Sequence, residues 1–309
     1  MRELLKKINV IGYTKGSNPE VFVTKKYSTT TADRLINNKR VGFSKEDLVP
    51  RYRRTWYGLK RRLKVVEVGH VKAQMTPDRQ AYRPLKGGCE IGIDGDRYVG
   101  TGGGVVYRHS YRGLKLFGKW EFFLKLLIKH KIFYSTQKYL LTNTHVALKN
   151  VFKDEQFTYN QPLGGNTISW KNQAVVLKEK GDNYLDAAII ELPPWIKIRP
   201  SLVDGTKIKG MTARVSAKNT LFKYGRTTRG TIGTLINKEV TIIVSYRSGN
   251  ALFKGVYQVS DMSAGGDSGS FVLNEHNQVI GLIFAGAKYS YVIPIMPIIK
   301  HFKLSTTYL

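Results

Sequence analysis

Residues 263–271 read Ser263-Ala264-Gly265-Gly266-Asp267-Ser268-Gly269-Ser270-Phe271. A serine that attacks a carbonyl must be exposed to it, and amide donors must face the charge that develops on the oxygen. Small residues on both sides let the backbone turn sharply and let a substrate come close. Alone, the stretch is also what an ordinary Gly/Ser loop of a β protein looks like. Its neighbourhood is β in texture. Short β-branched or aromatic runs at 90–93, 105–107, 139–142, 174–177, 187–191, 241–246, 271–273, 279–284 and 291–295 alternate with Gly, Asn and Asp turns. Many short strands at such spacing predict a sandwich or barrels from residue 87 onward.

A serine nucleophile needs a base. Of six histidines, His145 stands apart because it ends the apolar run Tyr139-Leu140-Leu141-Thr142-Asn143-Thr144-His145, where a strand would hold it rigidly. His70, His109, His130, His276 and His301 lie in charged, polar or turn-like surroundings. A third group must orient the imidazole. Asp186 heads the apolar run Asp186-Ala187-Ala188-Ile189-Ile190, where a carboxylate is costly to bury unless hydrogen-bonded; Asp182 is expected to be solvated. The order is His145, Asp186, Ser268, at intervals of 41 and 82 residues.

These three segments, in this order, resemble those of the chymotrypsin-like serine proteases. The resemblance covers about residues 87–303. It implies a mainly β protein with two barrels, barrel 1 about 87–195 and barrel 2 about 200–303, and a serine endopeptidase acting on proteins or peptides. His145, Asp186 and Ser268 would be the triad, and the amides of Gly266 and Ser268 the oxyanion hole. The stretch Gly225-Arg226-Thr227-Thr228 resembles the bacterial branch that includes the streptogrisins and α-lytic protease. That likeness implies Arg226 as internal counter-ion of Asp267, so that no N-terminal cleavage would be needed. It also puts Met262 near the floor of the primary specificity pocket, with Phe284, Ala285 and Gly286 on the wall, favouring an apolar substrate residue. If Asp261 points inward instead, Lys or Arg would be preferred.

The chain carries 50 Lys and Arg against 22 Asp and Glu, a net charge of +28. Residues 1–83 hold 20 of those cations against 7 acids. Their densest run is 51–64, where Arg51, Arg53, Arg54, Lys60, Arg61, Arg62 and Lys64 alternate with Tyr52, Trp56 and Tyr57. Such a run suits a nucleic acid or an acidic partner, or it is simply a solvated face. Short strands near 21–24 and 65–69 and a helix near 31–38 predict a small basic α/β domain over 1–83, with a linker near its end, ahead of a protease domain at 84–309. It loosely resembles the extension preceding some intracellular bacterial trypsin-like proteins. A binding protein on a protease scaffold is the alternative to an enzyme. An insertion at 110–137 contains the oily, lysine-rich stretch 114–134, either a packed helix or hairpin or a basic amphipathic helix for a partner or membrane surface.

With 42% hydrophobic residues the chain can bury a core, which excludes wholesale disorder. No uncharged run is long enough to span a bilayer. One cysteine, Cys89, excludes an internal disulfide framework or a multi-cysteine metal site, and it is expected as a buried filler. No cofactor or metal is expected. The charged N-terminus lacks a secretory apolar region, which predicts an intracellular protein.

Overall fold

The computed structural model describes residues 10–14, 20–23, 52–54, 60–62, 64–67, 80–111, 134–216 and 219–305. Residues 31–38 and 114–133, with the expected helices, lie outside these, as does most of the expected linker. The protein is mainly β and consists of two barrels in the chymotrypsin-like arrangement.

Barrel 1 is built from two four-stranded sheets. In one, the strands Asn172–Ala174, Ala188–Leu192, Tyr134–Thr142 and Gly104–Tyr111 run side by side; in the other, Asn166–Ser169, Tyr159–Gln161, Cys89–Ile93 and Val99–Gly102. Alternation along the first sheet ties the barrels together. Leu140, Ala188 and Ile190 point into barrel 1, while Tyr139, Leu141, Ala187 and Ile189 join Phe271, Leu282 and Phe284 of barrel 2 in a shared core. Both faces of these strands are covered, so they read as continuous apolar runs. Tyr134 pairs with Tyr111, so the expected insertion at 110–137 begins and ends inside a hairpin whose connection is 112–133.

Barrel 2 closes on itself through the strands Thr220–Gly225, Arg229–Tyr246, Gly249–Val259, Ser290–Pro294, Val279–Gly286 and Phe271–Leu273. The expected strand at 291–295 ends in the helix Ile295–Phe302, which buries Ile295, Ile298, Ile299 and Phe302 at helical spacing. Three of the N-terminal strands join the barrel 2 sheet, while Tyr52–Arg54 and Lys60–Arg62 form a two-stranded sheet of their own. Val10–Thr14 pairs with Arg229–Tyr246, and Glu20–Val23 and Lys64–Glu67 extend that sheet outward. Phe22 is wholly buried in the shared core. Among the described residues, then, the 83/84 boundary divides the sequence but not the sheet.

Candidate active site

His145 lies one residue into the single-turn helix Thr144–Ala147, just past the end of Tyr134–Thr142 rather than within the strand. Two neighbours pin this turn: Asn143 Nδ2 donates to the carbonyl of Asp186 at 2.6 Å, and Thr144 Oγ1 donates to that of Ala187 at 3.0 Å. His145 and Asp186 are thereby held side by side. His145 Nδ1 is 2.6 Å from Asp186 Oδ2, and the backbone N–H of His145 donates to Oδ1 at 3.3 Å. Asp186 is fully buried. A carboxylate on Nδ1 fixes the tautomer with its proton there, which leaves Nε2 as the acceptor. Nε2 is buried and has no hydrogen-bond partner among the described residues.

A residue without a sequence motif completes this cluster. Tyr246, at the end of Arg229–Tyr246, donates its hydroxyl to Asp186 Oδ2 at 2.7 Å, and its ring lies 5.5 Å from the imidazole. Burial and the adjacent carboxylate push the Tyr246 phenol well above its usual range. It therefore remains a donor across the working pH range. Asp182 is not simply solvated either: its Oδ2 pairs with Lys254 Nζ at 2.5 Å.

Ser268 is wholly buried, and its carbonyl accepts the Thr101 N–H at 2.8 Å. A β-carbon placed on Gly100 would meet Val146 Cγ2 at 2.4 Å and the Ser268 carbonyl at 3.1 Å. Gly100 thus has room for no side chain, with Val146 and the Ser268 carbonyl both close by. In the turn before Ser268, Asp267 N–H donates to the Ala264 carbonyl at 3.0 Å, and Gly266 takes a φ of +95° that favours glycine. The Gly265 carbonyl accepts Thr227 Oγ1–H at 2.6 Å, and the Asp267 carbonyl accepts from Ser270 Oγ at 2.5 Å. Because peptides are trans, the N–H groups of Gly266 and Ser268 point away from these engaged carbonyls.

The counter-ion of Asp267 differs from the sequence expectation. Lys223 Nζ lies 2.9 Å from Asp267 Oδ2, both side chains being fully buried, whereas Arg226 Nη2 pairs with Glu90 Oε2 at 2.7 Å. The reason is alternation at the strand end: Lys223 and Gly225 face Asp267, and Arg226 faces barrel 1. Gly225 admits the carboxylate, since a β-carbon there would lie 2.5 Å from Asp267 Oδ1. Thr227 and Thr228 add backbone N–H donors at 2.9 and 3.2 Å, and Thr228 Oγ1 also bonds the carboxylate at 2.6 Å. Burial lowers the Lys223 ammonium below its ordinary value, opposed by the Asp267 charge.

Of the expected pocket residues, Met262 packs against Val215, Leu221 and Ile283, and the ring of Phe284 lies 4.9 Å from that of Phe253 in the shared core. Phe284 is therefore structural. Ala285 and Gly286 are buried beside it, and Asp261 is exposed rather than inward. Cys89 is buried and free, and burial pushes its thiol up to about 12. Of the basic run, 52–54 and 60–62 form an antiparallel hairpin, and Lys64 pairs with Glu20 at 2.6 Å. No group of metal-ligating residues occurs among the described residues, and no helix there is long and apolar enough to cross a membrane.

The fold is a pair of β-barrels in the chymotrypsin-like arrangement. A family model described as Peptidase S7, flavivirus NS3 serine protease, matches residues 194–292, about a third of the chain. Among solved structures, Thermobifida fusca protease A aligns with a TM-score of 0.48 at 16% identity, over 73% of this chain and 99% of its own. Cellulomonas bogoriensis chymotrypsin gives 0.47 at 17%, over 72% and 99%, and Nocardiopsis protease 0.46 at 14%, over the same shares. No curated protein matches the chain.

Proposed function

We propose that the protein is a serine endopeptidase working by acyl transfer through Ser268, His145 and Asp186. The observation that carries this reading is the buried 2.6 Å contact from Asp186 to His145 Nδ1, which leaves Nε2 as the acceptor. Ser268 attacks the peptide carbonyl while His145 takes its proton and returns it to the leaving amine. Asp186 keeps the tautomer and stabilises the imidazolium. The N–H groups of Gly266 and Ser268 receive the oxyanion; losing one such donor costs about 10²–10³ in kcat. The backbone at 284–286 adds the substrate as an extra strand. A pocket floored by Met262 with Ala285 and Gly286 on its wall takes an apolar side chain before the cut. With Lys223 already on Asp267, the serine turn needs no newly cleaved amine. The lone buried thiol suits a reducing intracellular setting.

A fluorophosphonate probe tests the reading. Labelling of the full chain that is abolished in Ser268→Ala and in His145→Ala supports it; an unlabelled but folded wild type refutes it. Peptides varied only before the cut then read the apolar preference.

A second reading, a binding element in the basic N-terminal region, has one observation in its favour. The 52–54/60–62 hairpin sets Arg53 opposite Arg61 and Arg54 opposite Lys60. The hairpin thus gathers several basic positions onto one two-stranded ribbon. Nucleic-acid affinity that falls steeply with salt supports phosphate contacts, and a flat response refutes them.

A further inference from the structure

His145 opens onto a cavity of about 410 Å³ that also touches Tyr246 but not Ser268. Its floor is apolar, formed by the buried Ile93, Val146, Leu148 and Val151. Its rim is charged and draws on both barrels. Asp96, Tyr98 and Lys149 come from barrel 1, and Arg247 comes from the turn between the long strands of barrel 2. Asp96 Oδ2 lies 3.9 Å from Lys149 Nζ, and its Oδ1 accepts the N–H groups of Arg97 and Tyr98. That acid is already engaged. Arg247 is exposed, and among the described residues no carboxylate pairs with it. Its guanidinium carbon lies 5.1 Å from the centroid of the Tyr98 ring. Stacking on a ring face orients a planar guanidinium and leaves its N–H edge to meet a carboxylate in two-point fashion. The rim thus offers two cations against one occupied acid, above a floor that fits methylene groups.

We propose that this cavity is a substrate subsite that selects an acidic side chain, glutamate above all. The glutamate stem lies on Val146 and Leu148, and its carboxylate meets Arg247 with Lys149 in support. The inference rests on the endopeptidase reading and adds to it. The preferred acid occupies a position flanking the apolar residue taken by the pocket floored by Met262.

The test uses peptide pairs that differ only as Glu or Gln, placed in turn at each position from three before the cut to three after it, with the full-length chain. At one position kcat/KM is expected to favour Glu about tenfold. The ratio falls to about one in Arg247→Ala, and Arg247→Glu makes Lys the better residue there. A ratio near one at every position in the wild type overturns the proposal. So does an Arg247→Ala variant that speeds all peptides equally, because Arg247 on Tyr98 would then be a bar across the cleft. Probe labelling reports separately on the endopeptidase reading. If no peptide is cleaved, the same pairs are titrated onto Ser268→Ala. Tighter Glu binding that Arg247→Ala removes upholds the subsite, and equal affinities overturn it.

Discussion

At the scale of single residues, the proposed catalytic cluster depends on groups that carry no motif. Tyr246 bonds the same Asp186 oxygen as His145, in a buried setting where a hydrogen bond to a charge is worth about 1.5–3 kcal/mol. Tyr246→Phe is expected to lower kcat about tenfold with KM little changed, as steady-state kinetics will read. Lys223→Met leaves Asp267 buried without its cation and is expected to cost about 3–5 kcal/mol in urea unfolding. Arg226→Gln, by contrast, should weaken the contact to Glu90 while a folded fraction still takes the fluorophosphonate probe. Cys89 supplies a pH effect. Its folded thiol titrates near 12 against an ordinary value of 9.0, so its contribution is complete below pH 9 and fades as pH rises toward 12. Denaturation curves should show a shallower loss across that window in Cys89→Val than in the wild type. The segments around His145, Asp186 and Ser268 were readable because each joins a reactive group to an apolar strand. The choice of Lys223 over Arg226 was not readable, because it turns on which way each side chain faces at a strand end.

At the scale of elements, two hairpins of barrel 2 present what the site needs. The turn after Thr220–Gly225 wraps the Asp267 carboxylate, and it can do so only because Gly225 has no side chain in the way. Gly225→Ala should push Asp267 out of its cradle, abolish probe labelling and lower the melting temperature by several degrees. The hairpin joining Arg229–Tyr246 to Gly249–Val259 carries Tyr246 to Asp186 and Arg247 to Tyr98. Its length was only partly legible. The run at 241–246 is apolar enough to announce a strand, but its first half alternates with exposed residues such as Ile232 and Ile236 and reads as turn-rich surface. The strand expected at 174–177 in fact ends at Ala174, where pairing with Ala188 stops.

Over the whole molecule, the barrels share a core, and Phe22 of the N-terminal strand Glu20–Val23 belongs to it. Phe22→Ala should therefore cost about 3–5 kcal/mol of the stability of the entire protein. Thermal melts followed by tryptophan fluorescence will read this, and a separable N-terminal module would leave the barrels' transition unmoved. The β texture was legible because strand spacing is a local signal, whereas two barrels in place of a sandwich followed only from the resemblance of the three segments. The docking of Val10–Thr14 was not, since its partner lies far along the chain and nothing in a five-residue strand names it.

That docking has a consequence for how the protein is made. Gly12 pairs with Ile242, so during synthesis Val10–Thr14 has nowhere to settle until the later hairpin follows it. At about 5–20 residues per second, that wait lasts roughly 10–45 seconds. During it a strand edge stands open to any neighbouring nascent chain, and yield in the cell should hinge on that delay as much as on the strength of the finished fold.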